Sequence, residues 1–223
     1  MKRFLYLVLM TLIVSCSATK KAAVVPLKPV QVKLTTDSGT IVLMLYDKTP
    51  LHRDNFVKLV KEKYYDGLLF HRVINNFMIQ GGDPDSKNAK PGAHLGEGSL
   101  NYTIPAEFDT TLFHKRGALA AARESDDVNP KKASSSTQFY IVDGETFTDA
   151  QLNRVEERTK ILIPQSHREF YKTVGGTPFL DMNYTVFGEV ISGMDVVEKI
   201  ANAPKDENDR PLHDIKIELT IIK

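Results

Sequence analysis

Residues 70–83 read FHRVINNFMIQGGD, a pattern of two short apolar strands joined by a turn. The pair at 75–76 favours the turn because asparagine tolerates a left-handed backbone. Side chains of a strand alternate between its two faces, so Arg72 is predicted to share a face with Phe70 and Ile74. An arginine in so apolar a run is costly to bury, which leaves two interpretations: a structural arginine paired with an acidic neighbour, or a functional one.

The whole run resembles the signature of the cyclophilin-type peptidyl-prolyl isomerases, F-H-R-V-I-x-x-F-M-x-Q-G-G-D. The match is long and nearly unbroken, and it departs at positions 75–76, where many members have Pro-Gly. The resemblance implies that Arg72 is catalytic and that Gln80 orients it. It also implies that Phe77 and Met78 form part of the slot for the proline ring, although strand alternation alone would put those two side chains on opposite faces.

A second block, FLDMNYTVFGEV at residues 179–190, resembles the family pattern [WF]-L-D-G-x-[HY]-x-V-F-G-x-V. Met182 stands where that pattern has glycine, and Tyr184 stands where many eukaryotic members have histidine. Between the two blocks, the small residues of GALAAAR suit the close approach of a ligand backbone or tight packing inside a barrel. By resemblance, the substrate-binding residues outside the first block are Ala122, Arg123, Gln138, Tyr140, Phe179, Leu180 and Tyr184.

The rest of the chain completes one domain over residues 30–223. The predicted elements are two alternating strands, a helix with Thr49 as its N-cap and Pro50 at its first position, a short helix and a last strand, at residues 30–36, 40–45, 49–66, 193–200 and 215–221. The first helix carries one apolar stripe made of Phe56, Leu59, Val60 and Tyr64. The resemblance implies a mainly β fold, a closed eight-stranded antiparallel cyclophilin-like β-barrel capped by two helices.

An insertion that a minimal member of the family lacks lies at about residues 143–178. Residues 148–151 (TDAQ) and 166–169 (SHRE) have the pattern of capping boxes, and residues at helical spacing follow each of them. After the first box these are Leu152, Val155, Thr159 and Leu162. Pro164 separates the two segments. We expect a helical hairpin on the surface of the barrel, either as a decoration or as a partner site, whose removal leaves the barrel folded.

The first fifteen residues are predicted to be a lipoprotein signal peptide. A basic pair at 2–3 precedes an apolar run at 4–14, which is shorter than the about 20 residues that span a bilayer. Residues 13–16 (IVSC) resemble a bacterial lipobox, in which Cys16 is lipidated; the alternative is an ordinary signal peptide with an incidental cysteine. Residues 16–29 are then the lipidated cysteine and a tether. No Asp follows Cys16, which favours an outer-membrane anchor facing the periplasm in a cell with two membranes.

Composition gives no reason to expect nucleic acid as a partner. The chain has 29 Lys and Arg against 28 Asp and Glu, and loss of the signal peptide removes two basic residues and leaves 27 against 28. The six histidines show no metal-ligand spacing, and Cys16 is the only cysteine, so no metal, cofactor or thiol chemistry is expected. His71 is expected to be a structural histidine inside the barrel.

The function implied by the resemblance is faster rotation of X–Pro bonds in exported, proline-containing polypeptides, carried out by a monomer. Rotation needs only an apolar slot and a donor that favours the twisted state, without a covalent intermediate. The other class left open is a non-catalytic peptide-binding or scaffold module that uses the same groove. The joint presence of these residues favours the enzyme: Arg72, Phe77, Met78, Gln80 and Leu180.

Overall fold

The structure, a computed structural model, describes residues 29–223. The predicted signal peptide, Cys16 and nearly all of the tether lie outside the described residues. Of the helices described, none combines the length and the apolar character that crossing a membrane requires.

Residues 29–223 contain ten strands and four α-helices. The strands are β1 (Gln31–Thr36), β2 (Gly39–Leu45), β3 (Phe70–Ile74), β4 (Met78–Gly81), β5 (Thr103–Ile104), β6 (Ala118–Ala121), β7 (Ser134–Ser135), β8 (Phe139–Val142), β9 (Val186–Ser192) and β10 (Glu218–Ile221). The helices are α1 (Pro50–Lys61), α2 (Asp149–Thr159), α3 (Gln165–Thr173) and α4 (Met194–Ala201). The fold is therefore mainly β, as predicted.

Eight strands form one curled antiparallel sheet in the order β10-β1-β2-β9-β6-β8-β4-β3, and β5 pairs separately with β7. The predicted closed barrel is not confirmed, because β3 and β10 are the two edges of this sheet. The segments next to these two edges meet at one isolated bridge, Leu69–Lys216. Three backbone hydrogen bonds surround it: the N–H groups of Phe70, Ile217 and Gly67 donate to the carbonyls of Ile215, Leu68 and Ile217, at 3.0, 2.7 and 2.9 Å. The final strand begins only at Glu218 and pairs with β1, so the residues before it meet the other edge without a continuous ladder.

One face of the curled sheet holds the main apolar core, and residues of α1 and α4 pack into this core. Phe56, Leu59 and Val60 of α1 are buried, which confirms the predicted stripe. Tyr64 lies just beyond the helix and is partly buried. Val197 and Ile200 of α4 are fully buried in the same core.

Helix α1 begins at Pro50, as predicted, but a distant side chain caps its first turn. The Thr49 side chain makes no cap hydrogen bond. Instead, the two Glu107 carboxylate oxygens accept the N–H groups of Leu51 and His52, each at 3.0 Å. A carboxylate at this end satisfies free N–H groups and complements the positive end of the helix dipole. The prediction for Thr49 is thus right in position and wrong in chemistry.

The insertion forms the predicted helical hairpin, α2 and α3. Thr148 and Gln151 make a capping box at the start of α2. The second predicted box is wrong, because α3 begins at Gln165 directly after Pro164, and no side chain in the described part of the chain caps it. The hairpin closes over a separate apolar cluster. Its buried members are Leu152, Val155, Ile163 and Tyr171, and Phe113, Phe147 and Phe179 pack against them.

Candidate active site

A cleft of about 370 Å³ opens on the face of the sheet opposite the main core. Side chains along β4 and β8 alternate between the two faces of the sheet. Ile79 and Ile141 lie in the main core, whereas Met78 and Tyr140 lie in a second apolar cluster, the cluster behind the cleft. Nine of the eleven residues predicted for the site line the cleft: Arg72, Phe77, Met78, Gln80, Ala122, Arg123, Tyr140, Leu180 and Tyr184.

Phe77 and Met78 lie side by side in this cleft, which strand alternation did not predict. Strand β4 begins at Met78, so Phe77 belongs to the preceding turn, where its N–H donates to the Ile74 carbonyl at 3.1 Å. Asn76 in that turn has φ = 58°, the left-handed conformation expected of an asparagine there. Because Phe77 precedes the strand, it packs into the same apolar cluster as Met78.

Strand β3 aims Arg72 at the cleft by means of a β-bulge. The register against β4 shifts between Phe70 and Arg72. Phe70 therefore turns into the main core with Val73, while Ile74 packs against the cluster behind the cleft. The prediction that Arg72 shares a face of the strand with Phe70 is wrong for this reason. The prediction that it shares a face with Ile74 is confirmed.

Arg72 has donor capacity left for a substrate. It lies opposite Gln80 across β3 and β4, with 3.4 Å between its Nη1 and Gln80 Oε1. Salt bridges of arginine within residues 29–223 involve other arginines and not Arg72. The interpretation of Arg72 as a structural arginine held by an acidic neighbour is therefore not supported.

The other guanidinium of the cleft is already engaged. Arg123 Nε donates to the Asn183 carbonyl at 2.7 Å, and its Nη1 lies 2.7 Å from Asp126 Oδ1. Its guanidinium carbon lies 4.6 Å from the centre of the Tyr184 ring, and the side chain is 5% exposed. Arg123 and Tyr184 thus form one wall of the cleft, whereas Arg72 is the guanidinium available for hydrogen bonding there.

Gln138 does not line the cleft but lies behind Gln80. Gln80 Nε2 donates to Gln138 Oε1 at 3.0 Å. Gln138 Nε2 in turn donates to the carbonyls of Gly96 and Gly98, at 2.9 Å and 2.8 Å. Gln138 therefore fixes Gln80 and the loop beside it, and it lines the adjoining groove together with Gln80 and Arg123.

Phe179 also lies outside the cleft lining. Pro178–Leu180 is a short 3₁₀ turn that directs Leu180 to the cleft and Phe179 to the cluster of the hairpin. The Phe179 ring stacks on the Phe77 ring at 5.8 Å between centres, and Arg158 of α2 lies 5.7 Å from its centre. Phe179 thus supports the slot from behind through Phe77.

Met182 keeps the turn that follows, although the family pattern has glycine there. Its φ is 58°, in the left-handed region that a side chain normally disfavours. Methionine is therefore accommodated here by a strained backbone. The neighbouring Asp181 is buried, and Tyr184 lines the cleft.

Sequence reasoning did not predict several residues of the lining. They are His71, the loop residues His94, Leu95, Gly96 and Glu97, and Asn208. The loop residues carry no periodic signal, and only the tertiary fold brings them to the cleft. His71 is buried, as expected of a structural histidine, but it also forms part of the lining.

The pKa of His71 is lowered from 6.5 to about 4, chiefly by burial and in smaller part by Arg72 and Arg210, while Asp83 opposes the shift. The unfolded chain therefore binds this proton more readily than the folded one. The free energy of unfolding therefore has its full value above pH 6.5 as far as His71 is concerned, and it decreases as the pH falls toward 4. His71 alone should make the free energy of unfolding about 2 kcal/mol smaller at pH 5 than at pH 7.

Urea unfolding of the protein and of His71→Gln at the two pH values measures this loss. Burial also lowers the pKa values of His52 and His167, which are present in both proteins, so the difference between them isolates His71. The variant should lose about 2 kcal/mol less between pH 7 and pH 5. Equal losses in the two proteins would contradict the assignment.

A second constellation resembles a Ser-His-Glu triad but is closed to substrate. His52 Nδ1 lies 2.7 Å from Glu107 Oε2, and His52 Nε2 lies 2.8 Å from Ser134 Oγ. His52 and Ser134 are buried, and the adjoining cavity of about 10 Å³ is too small for a peptide. The same residues serve the fold, because Glu107 also caps α1. Within residues 29–223, no three His, Cys, Asp or Glu side chains are grouped so as to hold a metal ion.

Residues 31–221 match the family model of the cyclophilin type peptidyl-prolyl cis-trans isomerases. A protein of Staphylococcus aureus (strain COL), named as a peptidyl-prolyl cis-trans isomerase, is 36% identical over 190 residues, which are 85% of this chain and 89% of that protein. A relative of the same name from Staphylococcus haemolyticus (strain JCSC1435) is 35% identical over 190 residues, with the same coverage of 85% and 89%.

Two crystal structures of a cyclophilin type peptidyl-prolyl cis-trans isomerase of Cryptosporidium parvum have the same fold. The first has a TM-score of 0.63 at 23% identity and covers 88% of this chain and 99% of that chain. The second, determined in the presence of the dipeptide Ala-Pro, has a TM-score of 0.61 at 23% identity and covers 86% of this chain and 99% of that chain.

Proposed function

The chain belongs to the cyclophilin family of peptidyl-prolyl cis-trans isomerases, and we propose that Arg72 and the slot beside it carry the isomerisation. The family activity is rotation about X–Pro peptide bonds. Uncatalysed, this rotation has a barrier of about 18–20 kcal/mol, because resonance gives the C–N bond partial double-bond character. Interconversion of the two isomers then takes roughly tens to hundreds of seconds, slow enough to limit folding.

The chemistry asked of the site is stabilisation of a twisted bond. As resonance is lost, the prolyl nitrogen gains a lone pair that can accept a hydrogen bond. Arg72 donates to this nitrogen, and Gln80 holds the guanidinium in place. Such a bond is stronger in the transition state than in the planar ground state, which is the condition for catalysis.

The apolar part of the cleft receives the proline ring. Four side chains form this slot: Phe77, Met78, Tyr140 and Leu180. Ala122, Arg123 and Tyr184 flank the residues beside the proline. The Cryptosporidium parvum protein was crystallised with Ala-Pro, and a proline-containing peptide is the ligand that we propose for this slot as well.

The observation that supports an enzyme over a peptide-binding module is that the Arg72 guanidinium is free to donate hydrogen bonds beside the slot. A binding module needs the slot alone, whereas here a charged donor without a salt bridge among the described residues stands beside the slot, within reach of Gln80. The test is exchange NMR, or a protease-coupled assay, on an Ala-Pro peptide. Faster interconversion of the isomers is expected; binding of the peptide without any acceleration would favour the scaffold function.

We further propose that the protein is lipidated at Cys16 and acts on exported polypeptides, from an outer-membrane anchor in a cell with two membranes. The proposal rests on the lipobox-like residues 13–16 and on the tether that separates them from the domain. A single acyl chain anchors weakly, so stable attachment requires the multiple chains of a bacterial lipoprotein.

Cys16→Ala should abolish incorporation of labelled palmitate and move the protein out of the membrane fraction. Ser17→Ala is the matched control, because it alters the adjacent residue and leaves the thiol in place, and it should keep the label. Unchanged palmitate incorporation in Cys16→Ala would refute lipidation at this residue.

A further inference from the structure

A buried chain of hydrogen bonds runs from the cleft to the inserted hairpin. The Tyr140 hydroxyl lies 2.9 Å from His114 Nε2, and His114 Nδ1 lies 2.9 Å from Asp181 Oδ1. The other carboxylate oxygen, Asp181 Oδ2, accepts the Tyr171 hydroxyl at 2.6 Å. All four side chains are buried, and His114 and Tyr171 are fully so. One end of the chain is therefore a ring of the proline slot, and the other belongs to α3.

The chemistry of the groups fixes the direction of each bond. An ionised carboxylate only accepts, so the Tyr171 hydroxyl and the His114 Nδ1–H both donate to Asp181. With Nδ1 protonated, His114 Nε2 is the acceptor for the Tyr140 hydroxyl. Burial raises the pKa of both tyrosines well above its ordinary value, which keeps the hydroxyls protonated as donors. The backbone N–H of His114 also donates to Asp181 Oδ1, at 2.9 Å. Every polar atom along the chain thus has its partner.

The hairpin presents Tyr171 to this chain through close packing. The Tyr171 ring lies edge-on to Phe113, with 5.6 Å between ring centres, and a side chain at Gly176 would come within 2.7 Å of Tyr171 Cε1. The backbone on both sides of the hairpin is also joined, because Gly176 and Glu145 form an isolated bridge. The Tyr171 hydroxyl is therefore held at a fixed point under the cleft.

We propose that Tyr171, Asp181 and His114 are positioning residues that fix the Tyr140 ring in the proline slot, so that the inserted hairpin sets the affinity of this slot for substrate. The proposal rests on the isomerase function proposed above and deepens it. Tyr140 is held by its hydroxyl at one end and packs edge-on against Tyr184, at 5.9 Å between ring centres. A ring released from the chain would sample other orientations and narrow or distort the slot.

This role predicts an effect on KM rather than on kcat. The slot holds the proline ring in the ground state and in the transition state alike, whereas Arg72 acts on the twisted bond. Loss of uniform binding raises KM and leaves kcat unchanged. Tyr171→Phe removes one hydroxyl and keeps the ring that packs in the hairpin, and it should raise KM for an Ala-Pro peptide by about three- to tenfold with kcat within about twofold.

The test is a double-mutant cycle between Tyr171→Phe and Tyr140→Phe, the two ends of the chain, which do not bond each other directly. If they act through His114 and Asp181, the double variant should have the KM of the single variants and not the product of the two effects. A structural role of Tyr171 in the hairpin alone would give independent effects. Thr148→Ala is the matched control, because it removes the cap of α2, destabilises the hairpin and leaves the buried chain intact; its KM should stay at the wild-type value.

Wild-type KM in either single variant, or multiplicative effects in the double variant, would overturn the proposal. If Tyr171→Phe did not fold, as judged by circular dichroism, Tyr140→Phe alone would still test the proposal, since an unchanged KM in that variant would also overturn it.

The dissociation constant of the peptide is measured in parallel. A wild-type protein that binds the peptide without isomerising it would refute the proposed function, while the same cycle on the dissociation constant would still test the chain.

Discussion

Replacing Arg72 by alanine is expected to lower kcat/KM for an Ala-Pro peptide by about a hundred- to a thousandfold. A preorganised donor that acts mainly in the transition state contributes about 2.7–4 kcal/mol, and each tenfold in rate corresponds to about 1.4 kcal/mol. Arg72 fits this role because its side chain stands at the slot and has no salt bridge among the described residues. Affinity for the peptide should fall less, because Phe77, Met78, Tyr140 and Leu180 still hold the proline ring.

Rates from exchange NMR and affinities from titration, with circular dichroism as the folding check, measure this prediction. Arg72→Lys should also be slow, because lysine lacks the planar fork that can contact Gln80 and the substrate together. Arg154→Ala on α2 is the control for loss of a guanidinium and should keep the wild-type rate. Within residues 29–223, Arg154 hydrogen-bonds only to the Ala150 carbonyl of its own helix. A folded Arg72→Ala protein that isomerises at the wild-type rate would exclude Arg72 as the catalytic residue.

Replacement of residues 149–174 by a short Gly/Ser link is expected to lower the free energy of unfolding by about 4–8 kcal/mol. Loss of one large buried side chain such as Tyr171 costs about 3–5 kcal/mol. Asp181 Oδ2, left in a buried place without its partner, adds about 1–3 kcal/mol. Domains are typically stable by only about 5–15 kcal/mol, so this deletion should leave a marginal protein. The body is thus still expected to fold without the hairpin, but with little stability to spare.

Urea unfolding of the deletion variant and the intact protein measures the loss. Leu162→Ser is the control within the hairpin, because Leu162 is 84% exposed and its replacement leaves the buried face intact. That variant should unfold with nearly the wild-type free energy. A deletion variant as stable as the intact protein would mean that the hairpin is a decoration after all.

The elements that could be predicted are those whose signal is local. The strand pair around residues 70–81, the stripe of α1 and the Thr148 capping box each depend on neighbours a few positions apart. Periodicity of 2 or 3.6 residues carries that information directly. The length and order of the family blocks then indicated which arginine and which apolar residues belong to the cleft.

The errors fall where a distant residue takes over a local role. Glu107 and not Thr49 caps α1, because the fold brings a carboxylate to the end of that helix. The bulge between Phe70 and Arg72 puts these two side chains on opposite faces of β3, because pairing with β4 sets the register. Leu162 has the predicted helical spacing and yet is exposed, since α2 ends at Thr159 and the next buried residue is Ile163.

By itself, therefore, the sequence determined most of the strands and helices and the presence of a helical insertion, and its resemblance to the family indicated the arginine at the slot. The tertiary structure alone decided that the sheet curls without a continuous closing ladder, that Phe179 supports the slot from behind, and that Tyr171 reaches Tyr140 through Asp181 and His114. The physical reason is that amphipathic spacing fixes which face of an element is buried but not what it meets there. The partners of a buried polar atom are chosen by contacts between residues far apart in the chain, such as Tyr140 and His114, which no local pattern encodes.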